Sequence, residues 1–212
     1  MGRESTRRDT KAALLRAAER LFAERGLGGV SVRDITLAAG ARNQSALHYH
    51  FGGMDELIRE IFAHRYSQIE ERRLKRLAAM EVEGTGRDIG LLMEAAVAPL
   101  FEACLEEDGR LYARFCVQLT TDPRFDVVQL VRDTGMESAN LMRECIGEAL
   151  ADLPEAVLRT RQRLLFTISI ILMADFARLI EAGTAPPIEM ATREAAATLA
   201  GFLQARPPSG AG

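Results

Sequence analysis

Apolar residues recur along this chain at intervals of three and four, and no stretch alternates strongly at intervals of two between turn signals. That is the spacing of helices buried along one face. The chain is therefore predicted to be all-α. A first helix over 10–25 sets Leu14, Ala17, Ala18, Leu21 and Phe22 on one face and stops at Gly26. Gly28 and Gly29 permit a tight loop, and Ser31 then stands where it can cap a short helix running through Ala39, closed by Gly40. Asp34, three residues on, completes a capping-box-like pair. A second short helix is predicted over 43–50 and, after Phe51-Gly52-Gly53, a longer one over 54–80, ending before the break Glu83-Gly84-Thr85-Gly86. Further helices are predicted over 88–106, 110–120, 123–150, 154–182 and 188–205. Pro123 and Pro154 fall in first turns behind Asp122 and Asp152 as caps, and Pro186-Pro187 marks a loop. The pattern divides the chain into an N-terminal three-helix unit over 1–53, a larger C-terminal helical unit over 54–206 and a disordered tail over 207–212.

With 48% apolar and 27% charged residues, the 212-residue chain has the composition of an ordinary folded protein. Its most apolar stretch, 164–174, is too short to cross a bilayer and carries Thr167 and Ser169, so it reads as a buried helix. The first ten residues are polar and basic and lack the apolar centre of a signal peptide, so a cytoplasmic, nucleoid-associated location is expected. Cys104, Cys116 and Cys145 are widely spaced without a C-x-x-C pair, which points to packing rather than to a disulfide or zinc site. His48 and His50, two apart on a helix, face different directions, and with His64 they lack a fourth ligand, so no metal is expected. No nucleophile-base pair, phosphate loop or cofactor motif stands out, and the chain is not expected to be an enzyme. The net charge of −3 hides an asymmetry: residues 1–66 carry 11 Lys and Arg against 8 Asp and Glu, residues 67–212 carry 16 against 22. A basic N-terminal piece on an acidic body suits a protein whose first part meets phosphate.

Residues 31–51 form two short helices about a turn near Gly40, packed on the first helix. Such a helix-turn-helix fits the major groove, its second helix presenting side chains to base edges. The sequence Leu14-Leu15-x-Ala17-Ala18-x-x-Leu21-Phe22-x-x-x-Gly26, then Ser31-x-Arg33-Asp34-Ile35-x-x-Ala38-Ala39-Gly40, then Leu47-His48-Tyr49-His50-Phe51, then Asp55-Glu56-Leu57, resembles the DNA-binding region of the tetracycline-repressor (TetR) family of bacterial regulators. Between the matched apolar positions stand the candidate DNA contacts. Arg33 can reach a base or phosphate from the first helix of the motif. Arg42, Asn43, Gln44 and Ser45 open the recognition helix, where Asn or Gln pairs with adenine and Arg with guanine. The resemblance places further phosphate or base contacts at His48, Tyr49 and His50. Arg3, Arg7, Arg8 and Lys11 can track the backbone or minor groove. Two departures from the family pattern stand out. The turn before the recognition helix is one residue longer than usual, and Met54 occupies the place of a phosphate-binding lysine.

In the larger unit, Met93, Phe101, Leu105, Tyr112, Phe115, Phe166 and Met173 are candidates for lining an effector cavity, against the plainer alternative of core packing. Their character suits an apolar or aromatic small molecule. Asp175 is an acid within an apolar helix and needs a partner such as Arg178 if buried. The helix over 154–182 is apolar around most of its girth, so one face is expected to meet a second subunit, and with the last helix it resembles the family's four-helix dimer interface. The expectation is a homodimeric repressor released from a pseudo-palindromic double-stranded operator by an effector. Helix 54–80 would act as the lever. The alternative is a helical protein-interaction module without specific DNA binding.

Overall fold

The computed structural model describes residues 2–41 and 43–207, with side chains from Arg7 onward. Ten α-helices and one 3-10 turn make up its regular structure, and no strand occurs among the described residues. The N-terminal helix α1 (Gly2–Arg25) begins well before the predicted start, and ends at Gly26, whose amide donates to the Phe22 carbonyl at 2.9 Å. Gly26 has φ +78°, and a Cβ there would stand 3.3 Å from the Gln118 side chain. Glycine thus lets the end of α1 turn while lying close against a later helix.

After the 3-10 turn Leu27–Gly29, α2 (Val32–Ala38) starts on the predicted capping box. The Ser31 hydroxyl accepts from the Asp34 amide at 3.2 Å, and the Ser31 amide donates to the Asp34 carboxylate at 2.9 Å. Hydrogen bonds from Ser31 to the carboxylate, the side-chain one first, hold the Asp34 carboxyl below its ordinary pKa. Ser31→Ala should cost about 1 kcal/mol in a denaturant titration, because it leaves first-turn amides unserved. The short helix α3 (Ser45–Phe51) and the long α4 (Met54–Glu83) follow, joined through Gly52 at φ +83°.

The larger part comprises α5 (Ile89–Ala103), α6 (Glu107–Thr121), α7 (Val127–Asp133), α8 (Glu137–Ala149), α9 (Glu155–Glu181) and α10 (Ile188–Gln204). Where one helix over 123–150 was expected, there are two. Asp126 caps α7 by accepting from the Val128 and Gln129 amides, and Gly135 at φ +65° breaks the chain before α8. Pro123 accordingly lies in the preceding turn, not in a helix. Pro154 is itself the N-cap of α9, so Asp152 does not serve that role. The expected tail falls, apart from Pro207, outside the described residues.

One continuous cluster of buried apolar side chains runs from Leu14, Ile35 and Leu47 through Phe62 and Phe115 to Leu199. Helix α1 packs on α6 as well as on α2, α6 packs on α9, and α10 lies along α5. The first three helices therefore share a core with the body.

Candidate nucleic-acid interface and ligand cavity

Buried Leu47 and Phe51 anchor α3 on one side, and buried Ile35 anchors α2. The opposite side of the pair faces out: Arg33, Asn43, Gln44, Ser45, His48 and Tyr49 are all exposed, Tyr49 at 66%. Within this group Asn43 is occupied locally, its side-chain oxygen accepting from the Ser45 amide at 3.0 Å. It orders the lead-in to α3. His48 Nδ1 lies 3.1 Å from the Gly52 carbonyl, a group that only accepts, so Nδ1 is the donor of that bond. Arg42, and the side chain of Arg3, lie outside the described residues.

The N-terminal part of α1 runs alongside α3. The Arg7 guanidinium lies over the Tyr49 ring, 5.0 Å from its centre, and the Lys11 ammonium lies 5.5 Å from the centre of the Phe51 ring while pairing with Glu60. Arg7, Arg8, Lys11 and half-buried His50 surround a hollow of about 230 Å³. Burial first, then the charges of Arg7 and Lys11, hold the His50 imidazole below its usual pKa. At neutral pH it is thus an uncharged hydrogen-bonding group rather than a counter-charge for phosphate. At Met54, no side chain caps the start of α4, so its first-turn amides stand open where the family pattern has a lysine. Sequence reasoning missed Leu37, a large apolar side chain on α2 that is 78% exposed. Its signal is position: two residues after inward-facing Ile35, it falls off the core face.

Three elements tie this region to the body. Glu19 of α1, nearly buried, is gripped by Arg65 of α4 at 2.8 and 2.7 Å, and Arg65 also reaches Asp108 of α6 at 2.9 Å. Burial pushes the Glu19 pKa up, opposed by the Arg65 bonds. Beside this network, Phe22 of α1 meets Phe115 of α6 with ring centres 6.1 Å apart.

Inside the body, a cavity of about 530 Å³ opens between α4, α5, α6, α7, α8 and α9. Of the residues predicted to line it, Tyr112, Phe166 and Met173 do. Met93, Phe101 and Phe115 are instead core, Phe101 stacked on Phe176 at 4.4 Å, and Leu105 is 55% exposed on the outer surface. The reason is geometric: one apolar face of a helix is shared between cavity and core, and spacing does not say which. Phe62, Tyr66 and Arg73 of α4 line the cavity as well, and none of the three was among the residues that spacing singled out. Cys116 also lines it, with its thiol pKa pushed well up by burial; burial likewise takes Cys104 up to about 12. The three cysteines are free thiols, and half-buried Cys145 also has its pKa raised, by burial first and then by Glu148 and Glu144.

Asp175 is exposed, since the outer side of α9 has no neighbour within the described chain, and it pairs with Arg178, the partner suggested for it, at 2.6 Å. Leu164 and Ile171 are exposed on that side, and Met190 is exposed on α10. No group of metal-ligating side chains occurs among the described residues, and no helix there is long and apolar enough to cross a membrane.

The family model for bacterial regulatory proteins of the tetR family matches residues 14–61, and that for the tetracyclin repressor-like C-terminal domain matches residues 94–205. The chain is 32% identical over 108 residues to the HTH-type transcriptional repressor Rv3405c of Mycobacterium tuberculosis and, equally, to the HTH-type transcriptional regulator Mb3439c of Mycobacterium bovis. In each case the match takes in 51% of this chain and 47% of the relative, so the chain spans about half the length of these curated relatives. Among solved structures, a protein from Shewanella sp. PV-4 assigned to the tetR family of transcription regulators superposes with a TM-score of 0.66 at 18% identity, covering 90% of this chain and 95% of that one. NalD of Pseudomonas aeruginosa, the secondary repressor of the MexAB-OprM multidrug efflux pump, gives 0.56 at 20% identity, over 91% and 96% of the two chains. These structural likenesses establish the shared fold.

Proposed function

Since the chain belongs to the tetR family of bacterial regulatory proteins, we propose that it is a homodimeric repressor that reads a pseudo-palindromic operator with α3 and releases it when a small molecule enters the body cavity. The observation that carries this reading is the outward face of α3. Gln44, Ser45, His48 and Tyr49 stand exposed on a helix fixed from behind by Leu47 and Phe51. A short helix so mounted can enter the major groove. Gln44 is suited to adenine, Arg33 to guanine or phosphate, and exposed Leu37 to a thymine methyl. Arg7, Arg8 and Lys11 follow the phosphates on the flank.

The dimer is supported by the uncovered side of α9 and α10. Leu164, Ile168 and Ile171 recur at helical spacing on α9, and small Ala197 and Gly201 stand exposed on α10, where a second pair of helices can approach closely. Two-fold symmetry then presents two recognition helices to half-sites about 34 Å apart.

Release follows from two helices that touch both sites. Helix α4 carries Phe62 and Tyr66 in the cavity and begins next to α3; α6 carries Tyr112 and Cys116 in the cavity and Phe115 against Phe22 of α1. A ligand that separates these helices moves the reading head. A hundredfold preference for the released state supplies roughly 2.7 kcal/mol. The test is an anisotropy titration of the full chain against the duplex upstream of its own gene over a salt series. Tight, sequence-dependent binding that weakens steeply with salt is the expected result. Salt-insensitive or absent binding would instead mark a helical interaction module.

A further inference from the structure

The cavity is largely apolar, yet its charged residues are all of one sign. Arg73, Arg132, Arg143, Arg159 and Arg163 line it, and no aspartate or glutamate among the described residues does. Arg159 is paired with Glu155 and Arg163 with Asp126, whereas Arg132 and Arg143 make no ion pair among the described residues. These four are exposed and form a cationic mouth.

Arg73 differs from them. It is 7% exposed, and its guanidinium donates to the Tyr66 hydroxyl at 2.8 Å and to the Ala96 carbonyl at 3.2 Å. Both acceptors are neutral. Its Nε is buried without any partner, and no carboxylate pairs with it among the described residues. A guanidinium stays charged at every physiological pH. A buried, unpaired cation is costly, and the same burial makes its attraction for an incoming anion strong. Arg76 Nε is likewise buried without a partner, but its guanidinium is paired with Glu102; at Arg73 the charge itself is uncompensated, and that calls for an acceptor that bears a negative charge.

We propose that the ligand of this cavity is an organic carboxylate on an apolar aliphatic or aryl body. The carboxylate seats against the Arg73 guanidinium, and the body lies against Phe62, Leu165, Phe166 and Met173. The arginines at the mouth draw such an anion in. This rests on the reading of the cavity as the effector site, and names the chemistry that the site selects.

Decanoate and 1-decanol test it, since they share chain length and differ in the charged head. The chain has no tryptophan, and two of its three tyrosines, Tyr66 and Tyr112, line the cavity, so tyrosine emission of the full chain reports entry, with calorimetry as a second readout. Decanoate is expected to bind about 10- to 100-fold more tightly than decanol, the worth of a hydrogen bond to a charged group. Arg73→Met, which removes a buried charge in favour of an apolar chain of similar reach, should bring decanoate down to the affinity of decanol and leave decanol unchanged. Arg73→Lys, which keeps the charge, should recover part of the difference. Equal affinity of the two probes for the unaltered protein, or a folded Arg73→Met chain that still prefers decanoate, overturns the assignment and leaves the effector site standing. Failure of both probes to bind overturns the two together.

Discussion

A chain carrying alanine at Gln44, His48 and Tyr49 together should lose operator affinity by on the order of a hundredfold or more, with its thermal midpoint nearly unchanged. Each good base contact discriminates by about 1–3 kcal/mol, and neighbouring losses do not add in full. Stability is largely spared because all three side chains are exposed and Gln44, though the N-cap of α3, makes no capping bond; the His48–Gly52 bond and the Arg7–Tyr49 contact are what is lost, at about 1 kcal/mol. The selectivity between operator and a scrambled duplex should fall along with the affinity, which distinguishes base reading from plain charge. Arg7→Ala and Lys11→Ala are the contrast: they should weaken both duplexes alike and lower the salt slope by about 1 for each phosphate that the missing cation leaves unneutralised. Fluorescence anisotropy at several salt concentrations measures all of this. A triple variant that binds the operator as the original chain does would remove α3 from the interface.

Much of this head was legible in the sequence because its signals are local. Ser31 and Asp34 three residues apart specify a helix start by themselves, Gly26 stops α1 by its own conformational freedom, and Leu47 and Phe51 lie four apart on one face of α3. The break at Gly135 was not legible in the same way. Apolar spacing runs on across α7 and α8 as though they were one helix, and neither Asp126 nor Gly135 forbids a helix; the cap and the left-handed glycine are used because both helices pack on α4 while α7 also meets α9 and α8 meets α5. The cavity was harder still. Tyr112 and Phe115 are three apart on α6, both fully inside, yet one lines the cavity and the other meets α1. One clue did go unread. Tyr66, Ile69, Arg73, Leu77 and Met80 form a single stripe of α4, and an arginine in the middle of an apolar stripe is already a question about what it binds.

Phe22→Ala should be the most damaging single truncation of the head, lowering the stability of the chain by about 3–5 kcal/mol in denaturant titration. Its side chain is fully buried where α1 crosses α6, and the ring it meets, Phe115, has no exposed surface to relax into. Natural domains hold only about 5–15 kcal/mol in total, so this variant is expected to be partly unfolded at growth temperature and silent on DNA. Phe22→Leu separates packing from signalling. It keeps most of the volume and should cost less than about 1.5 kcal/mol, leaving a folded chain that still binds operator. What it removes is the Phe22–Phe115 ring contact, by which the proposed release would pass a shift of α6 at Tyr112 and Cys116 on to α1. The ratio of operator affinities without and with a cavity ligand should therefore fall toward one in Phe22→Leu, while ligand affinity in the absence of DNA stays as before. An unchanged ratio would mean that α6 does not carry the signal and that α4, which reaches from Phe62 to the end of α3, carries it alone.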